Sequence, residues 1–261
     1  MKQIPIYQVD AFTDQIFRGN PAAVCPLDEW LPDVTLQSIA AENNLAETAF
    51  FVTQGDRFHL RWFTPTQEVS LCGHATVATA HVLMQHQNHN ASTIQFDSLS
   101  GPLSVTKEDS FYCLDFPIDD NTATTIDASL ESCSSFKPID AIQNERFIML
   151  VYEDEETIAN FQPVMEQIAF LPCSGLIITA QGKNVDFVSR MFAPQSGIPE
   201  DPVTGSAHCT LIPYWANKLH KKELIARQIS ERGGFLKCTL KNDRVIIRGE
   251  AITYLVGEIY I

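Results

Sequence analysis

Apolar positions along this chain come in short runs rather than in long helical stripes. β-Branched and aromatic stretches at residues 4–12, 48–53, 58–63, 93–96, 103–106 and 111–116 predict strands in the first half. The same texture returns at 146–152, 175–179, 185–192, 235–240, 245–248 and 252–261. Helical spacing is rarer. Residues 33–43 read as a surface helix, with Asp33 as the N-cap candidate, Leu36, Ile39 and Ala40 on one face, and Asn43 and Asn44 as the stop. Two further helices are expected at 74–87 and 206–217. Neither carries an Asp, Glu, Lys or Arg over most of its length, and a helix without a charged face belongs inside a protein.

These two interior helices are preceded by related phrases. Arg61, Trp62, Phe63, Thr64 and Pro65 match Arg190, Met191, Phe192, Ala193 and Pro194; each phrase runs on through an acidic position, Glu68 or Glu200 with Asp201, to a glycine, Gly73 or Gly205. Arginine, aromatic, proline, acid and glycine in the same order predict an ancient duplication. The expected fold is therefore α+β, with two pseudo-symmetric lobes, each a strand layer wrapped around one buried helix. The lobes are placed at residues 1–118 and 119–261, with the last strand, 252–261, able to cross back to the first lobe. A linker rich in Asp, Asn, Thr and Ser is expected at 117–135.

Composition narrows the function classes. Eighteen Lys and Arg against 32 Asp and Glu give a net charge of −14, which disfavours polyanionic partners such as nucleic acid, and 45% apolar residues suffice for a sizeable core. Seven scattered cysteines without a CxxC pair point to neither a disulfide framework nor a zinc ribbon, and the absence of an apolar leader leads us to expect a cytoplasmic protein. The most apolar stretch, 168–180, is too short for a membrane span and is broken by Pro172, Ser174 and Gly175. His81, His86 and His89 do not share a helical face with a carboxylate, so no metal site is expected from them, and neither a Walker loop nor GxGxxG is present.

The chemistry is expected where the interior helices begin. First-turn amides are unpaired donors at the positive end of the helix dipole, and a glycine there lets a ligand approach the backbone. Two such starts facing each other across a cleft between lobes would hold a small carboxylate and stabilise charge developing on it. The first start reads Cys72, Gly73, His74, Ala75, Thr76; the second reads Thr204, Gly205, Ser206, Ala207, His208. Two-thiol racemisation needs a cysteine on each side, and Thr204 cannot serve, so a single base or a base with an unlike acid remains. Glu47 is the candidate base, the lone charge between Glu42 and Asp56, where desolvation would raise its proton affinity. The competing reading makes Glu47 the solvent-facing residue of an alternating strand, His74 a helix cap and Asp201 a turn residue.

Four separated segments decide between these readings. Val9, Asp10, Ala11 and Phe12 with Phe17 to Ala22, the stretch 44–50, Phe63-Thr64-Pro65 leading to CGHAT at 72–76, and GIPEDPVTGSA at 197–207 together resemble the PhzF-like phenazine-biosynthesis isomerase family over nearly the whole chain. The resemblance implies the diaminopimelate-epimerase-like fold, two pseudo-symmetric lobes each with a buried central helix inside a barrel-like sheet. It places the family's catalytic glutamate on Glu47 and supporting active-site residues on His74, Asp201 and Ser206, with Gly73 and Gly205 as backbone donors. It further implies proton transfer between carbons of a small cyclic carboxylate, dihydro-hydroxyanthranilate in the family's namesake, without metal or organic cofactor, in a homodimer. Cys72 stands where the fold's epimerases carry one of their two thiols, which keeps an epimerase open as an alternative, alongside a non-catalytic small-molecule binder.

Overall fold

The computed structural model describes residues 2–261. They form two compact units, one made of the chain up to Asp115 together with Arg248–Ile261, the other of Phe116–Ile247. The C-terminal strand thus belongs to the first unit.

The first unit contains β1 (Gln3–Ala11), β2 (Asn20–Leu27), α1 (Asp33–Asn43), β3 (Glu47–Gln54), β4 (Arg57–Phe63), β5 (Glu68–Val69), α2 (Gly73–His86), β6 (Thr93–Ser98), β7 (Gly101–Glu108) and β8 (Phe111–Pro117), whose last two residues pass into the second unit. β1 pairs antiparallel with β2, which runs parallel to β3 across α1. β3 pairs antiparallel with β4, which runs parallel to β6 across α2. β7 and β8 complete an antiparallel meander. α1 lies over one face of the sheet, with Leu36 and Ile39 packed among Cys25, Leu27, Phe50 and Phe63. α2 packs against β1, β2 and β3 and is buried at every position from Gly73 to Leu83. A sheet covered on both faces needs apolar side chains on both, so β3 has no hydrophobic alternation and Ala49 to Val52 are all buried.

The second unit contains β9 (Thr122–Ala123), α3 (Ala128–Glu131), β10 (Asp140–Gln143), β11 (Phe147–Val151), α4 (Glu155–Ala159), α5 (Met165–Ala169), β12 (Gly175–Gln181), β13 (Phe187–Ala193), a 3-10 turn (Pro194–Ser196), β14 (Ile198–Asp201), α6 (His208–Leu219), β15 (Glu223–Gln228), β16 (Gly234–Lys241) and β17 (Arg244–Gly249), whose end passes into the first unit before β18 (Ala251–Tyr260). The order of the first unit recurs: β10 antiparallel to β11, β11 parallel to β12, β12 antiparallel to β13, and β13 parallel to β15 across α6. β18 pairs with β1 along its whole length.

The repeated phrases perform the same task in both units. Arg61 grips Glu68 with two hydrogen bonds of 2.7 and 2.8 Å, and Arg190 grips Glu200 with bonds of 2.7 and 2.9 Å. Each guanidinium also lies 5.1 Å from the ring centroid of the aromatic two residues on, Phe63 or Phe192. Arg190 further donates to the carbonyls of Ile158 and Phe161, tying the last turn of α4 and the residues just beyond it to β13. Replacing it by methionine strands the Glu200 charge and two carbonyls; we expect Arg190→Met to lower unfolding free energy by about 3 kcal/mol, read from the urea midpoint.

Several local expectations are corrected. Asp33 is the first helical residue rather than the cap of α1; Pro32 holds that place, and Asp33 instead meets Arg61 at 2.9 Å. The stop is as expected, Asn44 adopting a left-handed conformation at φ 49°. The interior helix of the second unit begins at His208, not Ser206, because residues 205–207 form a tighter turn in which the His208 N–H bonds the Gly205 carbonyl. Residues 117–135 are not a free linker either. Pro213 inside α6 has no N–H for the Cys209 carbonyl, and the Asp119 N–H supplies the missing bond while Asn121 Nδ2 donates to the Thr210 carbonyl. β2, β10, β15, α4 and α5 were not anticipated. β2 contains Pro21 and Pro26, and α4 and α5 are only five residues each, below the length at which periodicity is visible.

Candidate active site

In the first unit the site grows from three elements whose ends coincide. α1 stops at Asn43, the left-handed Asn44 turns the chain, and β3 opens on Glu47, whose side chain is 13% exposed. β2 runs parallel beside it, with Ala22 opposite Glu47 and Asn20 at its start. Gly19 makes that start possible: its φ is +63°, and a Cβ there would collide with the carbonyl of Ala11. α2 supplies the third side. Its N-cap, Cys72, is extended and makes no side-chain cap, and the first helical bond is Thr76 N–H to the Cys72 carbonyl at 3.2 Å. The amides of Gly73, His74 and Ala75 precede that bond, at the positive end of the dipole.

His74 is the centre of this group. Its Nε2 lies 3.2 Å from Glu47 Oε2, close but out of line for a straight hydrogen bond. Its Nδ1 lies 3.2 Å from Asn20 Nδ2 and 3.5 Å from Cys72 Sγ. Burial pushes the imidazole down to about 3, so at neutral pH it is uncharged and can donate a proton in a hydrogen bond without neutralising the carboxylate. Glu47, Cys72 and His74 are also the one group among the described residues whose carboxylate, thiol and imidazole donor atoms lie within 4.8 Å of one another. The carboxylate meets Nε2 and the thiol approaches Nδ1, opposite nitrogens of one ring. That arrangement suits a hydrogen-bonded chain better than convergence on one ion.

In the second unit, Asp201 ends β14 and is buried, its carboxylate accepting a 2.5 Å hydrogen bond from the Thr204 hydroxyl. Thr204, at the position matching Cys72, is locked further by Gln228: its N–H donates to Gln228 Oε1 at 2.8 Å, and Gln228 Nε2 donates to the Asp201 carbonyl at 2.7 Å. Gly205 and Ser206 occupy the turn before α6 rather than its first helical turn. The tightening has a local cause. His208 Nδ1 bonds the Thr204 carbonyl at 2.9 Å, taking the acceptor that the His208 backbone N–H would use in a regular helix. Glu47 has no counterpart here. The matching strand, β12, opens on Gly175, where a Cβ would meet Met191 Cε at 2.6 Å and the Phe192 carbonyl at 3.2 Å.

Sequence reasoning named Glu47, His74 and Gly73, which the fold brings together, and Asp201, Gly205 and Ser206, which share one loop of the second unit. It missed Asn20 and Gln228 as working residues. The available signal was a polar side chain at a core-facing strand position: Gln228 continues the buried series Leu224, Ala226 in β15. His81 and His86 take no part in the site; both contact Thr253 Oγ1 at 2.8 Å.

Comparison with known proteins extends this likeness to the entire chain. Residues 9–257 match the family model described as phenazine biosynthesis-like protein. Two uncharacterized isomerases of Pseudomonas aeruginosa are 46% and 45% identical, the first over 98% of both chains and the second over 99% of this chain and 100% of its own. The crystal structure of a PhzF-family protein from Enterococcus faecalis superposes with a TM-score of 0.97 at 47% identity, covering 100% of both chains. The paired lobes of one topology are accordingly the diaminopimelate-epimerase-like fold, and the chain belongs to the PhzF-like isomerase family.

Proposed function

We propose that the protein is a cofactor-independent isomerase of a small cyclic or amino carboxylate, with Glu47 removing a proton from one carbon and returning it to another. The observation that carries this reading is the Glu47 carboxylate held 3.2 Å from an uncharged, buried imidazole at the start of α2. In the abstraction step the C–H bond breaks, its electron pair delocalises toward the substrate carboxylate or an adjacent double bond, and Glu47 holds the proton as a carboxylic acid. In the return step the pair closes on the second carbon and takes that proton back. No electrons leave the substrate, so proton transfer alone balances the reaction. The Gly73 amide, at the positive end of α2, is assigned as a donor to developing negative charge, and the neutral His74 ring beside Glu47 supports the carboxylate as it gains and loses the proton. Asp201 is assigned a catalytic supporting role, and Gly205 and Ser206 are assigned to substrate binding, on their match to the family pattern. By analogy with the family the enzyme is read as a homodimer, which sedimentation of the purified protein checks, and the sequence-based expectation of a cytoplasmic location is checked by cell fractionation.

The test is proton NMR in D2O with a panel containing dihydro-hydroxyanthranilate, diaminopimelate and proline. Isomerisation or solvent deuterium entering a carbon position supports the proposal. Binding without exchange by any panel member would make the protein a small-molecule binder. Exchange abolished by Cys72→Ala and retained in Glu47→Gln would make it an epimerase using the thiol that lies 3.5 Å from His74. Asp201→Asn is expected to lower kcat/KM on the order of 10²-fold with unchanged circular dichroism; wild-type kinetics in that variant would remove Asp201 from the mechanism.

A further inference from the structure

Asn20 is fully buried at the first position of β2, opposite Ala11 of β1, and its amide nitrogen lies 3.2 Å from His74 Nδ1. An amide NH2 is a donor only, so the ring nitrogen it meets must present its lone pair. The other ring nitrogen then carries the proton, and that nitrogen is the one 3.2 Å from Glu47 Oε2. The amide NH2 at Nδ1 selects this neutral tautomer, and a carboxylate 3.2 Å from Nε2 favours the same one electrostatically. We infer that Asn20 is a positioning residue, which sets His74 in the Nε2–H form, so that the protonated ring nitrogen is the one on the side of Glu47. This rests on the reading of Glu47 and His74 as the proton-transfer pair.

The alternative tautomer shows what Asn20 prevents. With the proton on Nδ1, the Nε2 lone pair would face the Glu47 carboxylate, acceptor against acceptor, and the imidazole could no longer donate toward negative charge. The thiol of Cys72, 3.5 Å from Nδ1, does not enforce the choice, because sulfur is both a weak donor and a weak acceptor. Asn20 is held for this task by neighbours unrelated to the chemistry: the β1–β2 pairing places its backbone, and Gly19 permits the turn into it. Exchanging the group that sets an imidazole tautomer costs about 10⁴-fold in kcat in serine proteases, so the consequence here is catalytic rather than structural.

Nitrogen-15 NMR of the histidine rings in the full-length protein at pH 7.5 tests this without any substrate, with His74→Gln to assign the signal. The expected result is a neutral Nε2–H tautomer for His74 in the wild type and in Cys72→Ala, and an Nδ1–H or doubly protonated ring in Asn20→Asp. In the proton-exchange assay Asn20→Asp is expected to lose about 10²-fold or more in kcat with KM changed less than about threefold. A wild-type Nδ1–H ring overturns the inference even if the variant fails to fold, as does an Asn20→Asp ring that keeps the wild-type tautomer. A changed tautomer with undiminished turnover overturns the catalytic consequence. Absence of exchange in the wild type beside an Nε2–H ring that changes in Asn20→Asp would instead sink the isomerase reading and leave the role of Asn20 in setting the tautomer standing.

Discussion

Glu47→Gln is expected to lower turnover by about 10³-fold or more while shifting the unfolding free energy by less than about 0.5 kcal/mol. Gln keeps the size of the side chain and a polar oxygen beside His74 Nε2, so packing at the start of β3 is retained. What it loses is the capacity to hold a proton. General acid–base catalysis by one positioned group contributes about 10²- to 10⁴-fold, and here one carboxylate serves both the abstraction and the return. The neutral His74 does not replace it, since a ring pushed down to about 3 is a poor proton acceptor at neutral pH. Nor does the duplicated half hold a spare, because Gly175 stands at the matching strand position. Deuterium incorporation in D2O, compared between wild type and variant at equal concentration of folded protein, measures the effect. Exchange within tenfold of wild type would falsify the role of Glu47.

Acidification is expected to destabilise the protein steeply between pH 6.5 and 5. Three histidines are buried in the neutral form: His74 pushed down to about 3, and His81 and His208 to about 4, in every case chiefly by desolvation. His208 donates through Nδ1 to the Thr204 carbonyl and has its Nε2 buried with no hydrogen-bond partner, so a second proton there would find no acceptor. In the unfolded chain each imidazole takes its proton near pH 6.5. Below that pH the unfolded state binds more protons than the folded state, and stability falls as pH falls; above it the contribution is fully present. With three such groups the slope approaches about 4 kcal/mol per pH unit, and the loss from pH 7.5 to pH 5 is about 6 kcal/mol.

A competing term runs the other way. Protonating carboxylates relieves the self-repulsion of a chain with net charge −14. That repulsion is spread over the surface and screened beyond about 8 Å at physiological salt, whereas each histidine acts at its own buried site, so the local terms win. Urea midpoints at pH 7.5, 6 and 5 in 0.15 M salt provide the check, and His208→Gln should flatten the pH dependence by about a third. Equal stability at pH 7.5 and 5 would mean that these imidazoles are not held neutral in the folded protein.

Much of the architecture can be read from residue order alone. The matched phrases beginning at Arg61 and Arg190 announce the duplication because a bidentate arginine–glutamate pair beside an aromatic ring is needed at the same bend in each unit. The charge-free stretches at 74–87 and 206–217 announce interior helices because a charge cannot be left in an apolar layer. Motif order identifies Glu47, His74 and Asp201 as candidates. Tertiary structure decides what residue order cannot express. Asn20 lies 54 residues from His74 in the chain, and only the parallel pairing of β2 with β3 beside α2 makes them neighbours. The tight turn before α6 depends on the His208 ring reaching the Thr204 carbonyl, and the anchoring of Asp119 depends on a carbonyl left open by a proline much later in the sequence. Periodicity and propensity are local properties and are written in the sequence directly; hydrogen-bond partners, tautomers and desolvation are set by whatever packing brings within a few ångströms, and those determine which of the legible residues can exchange a proton.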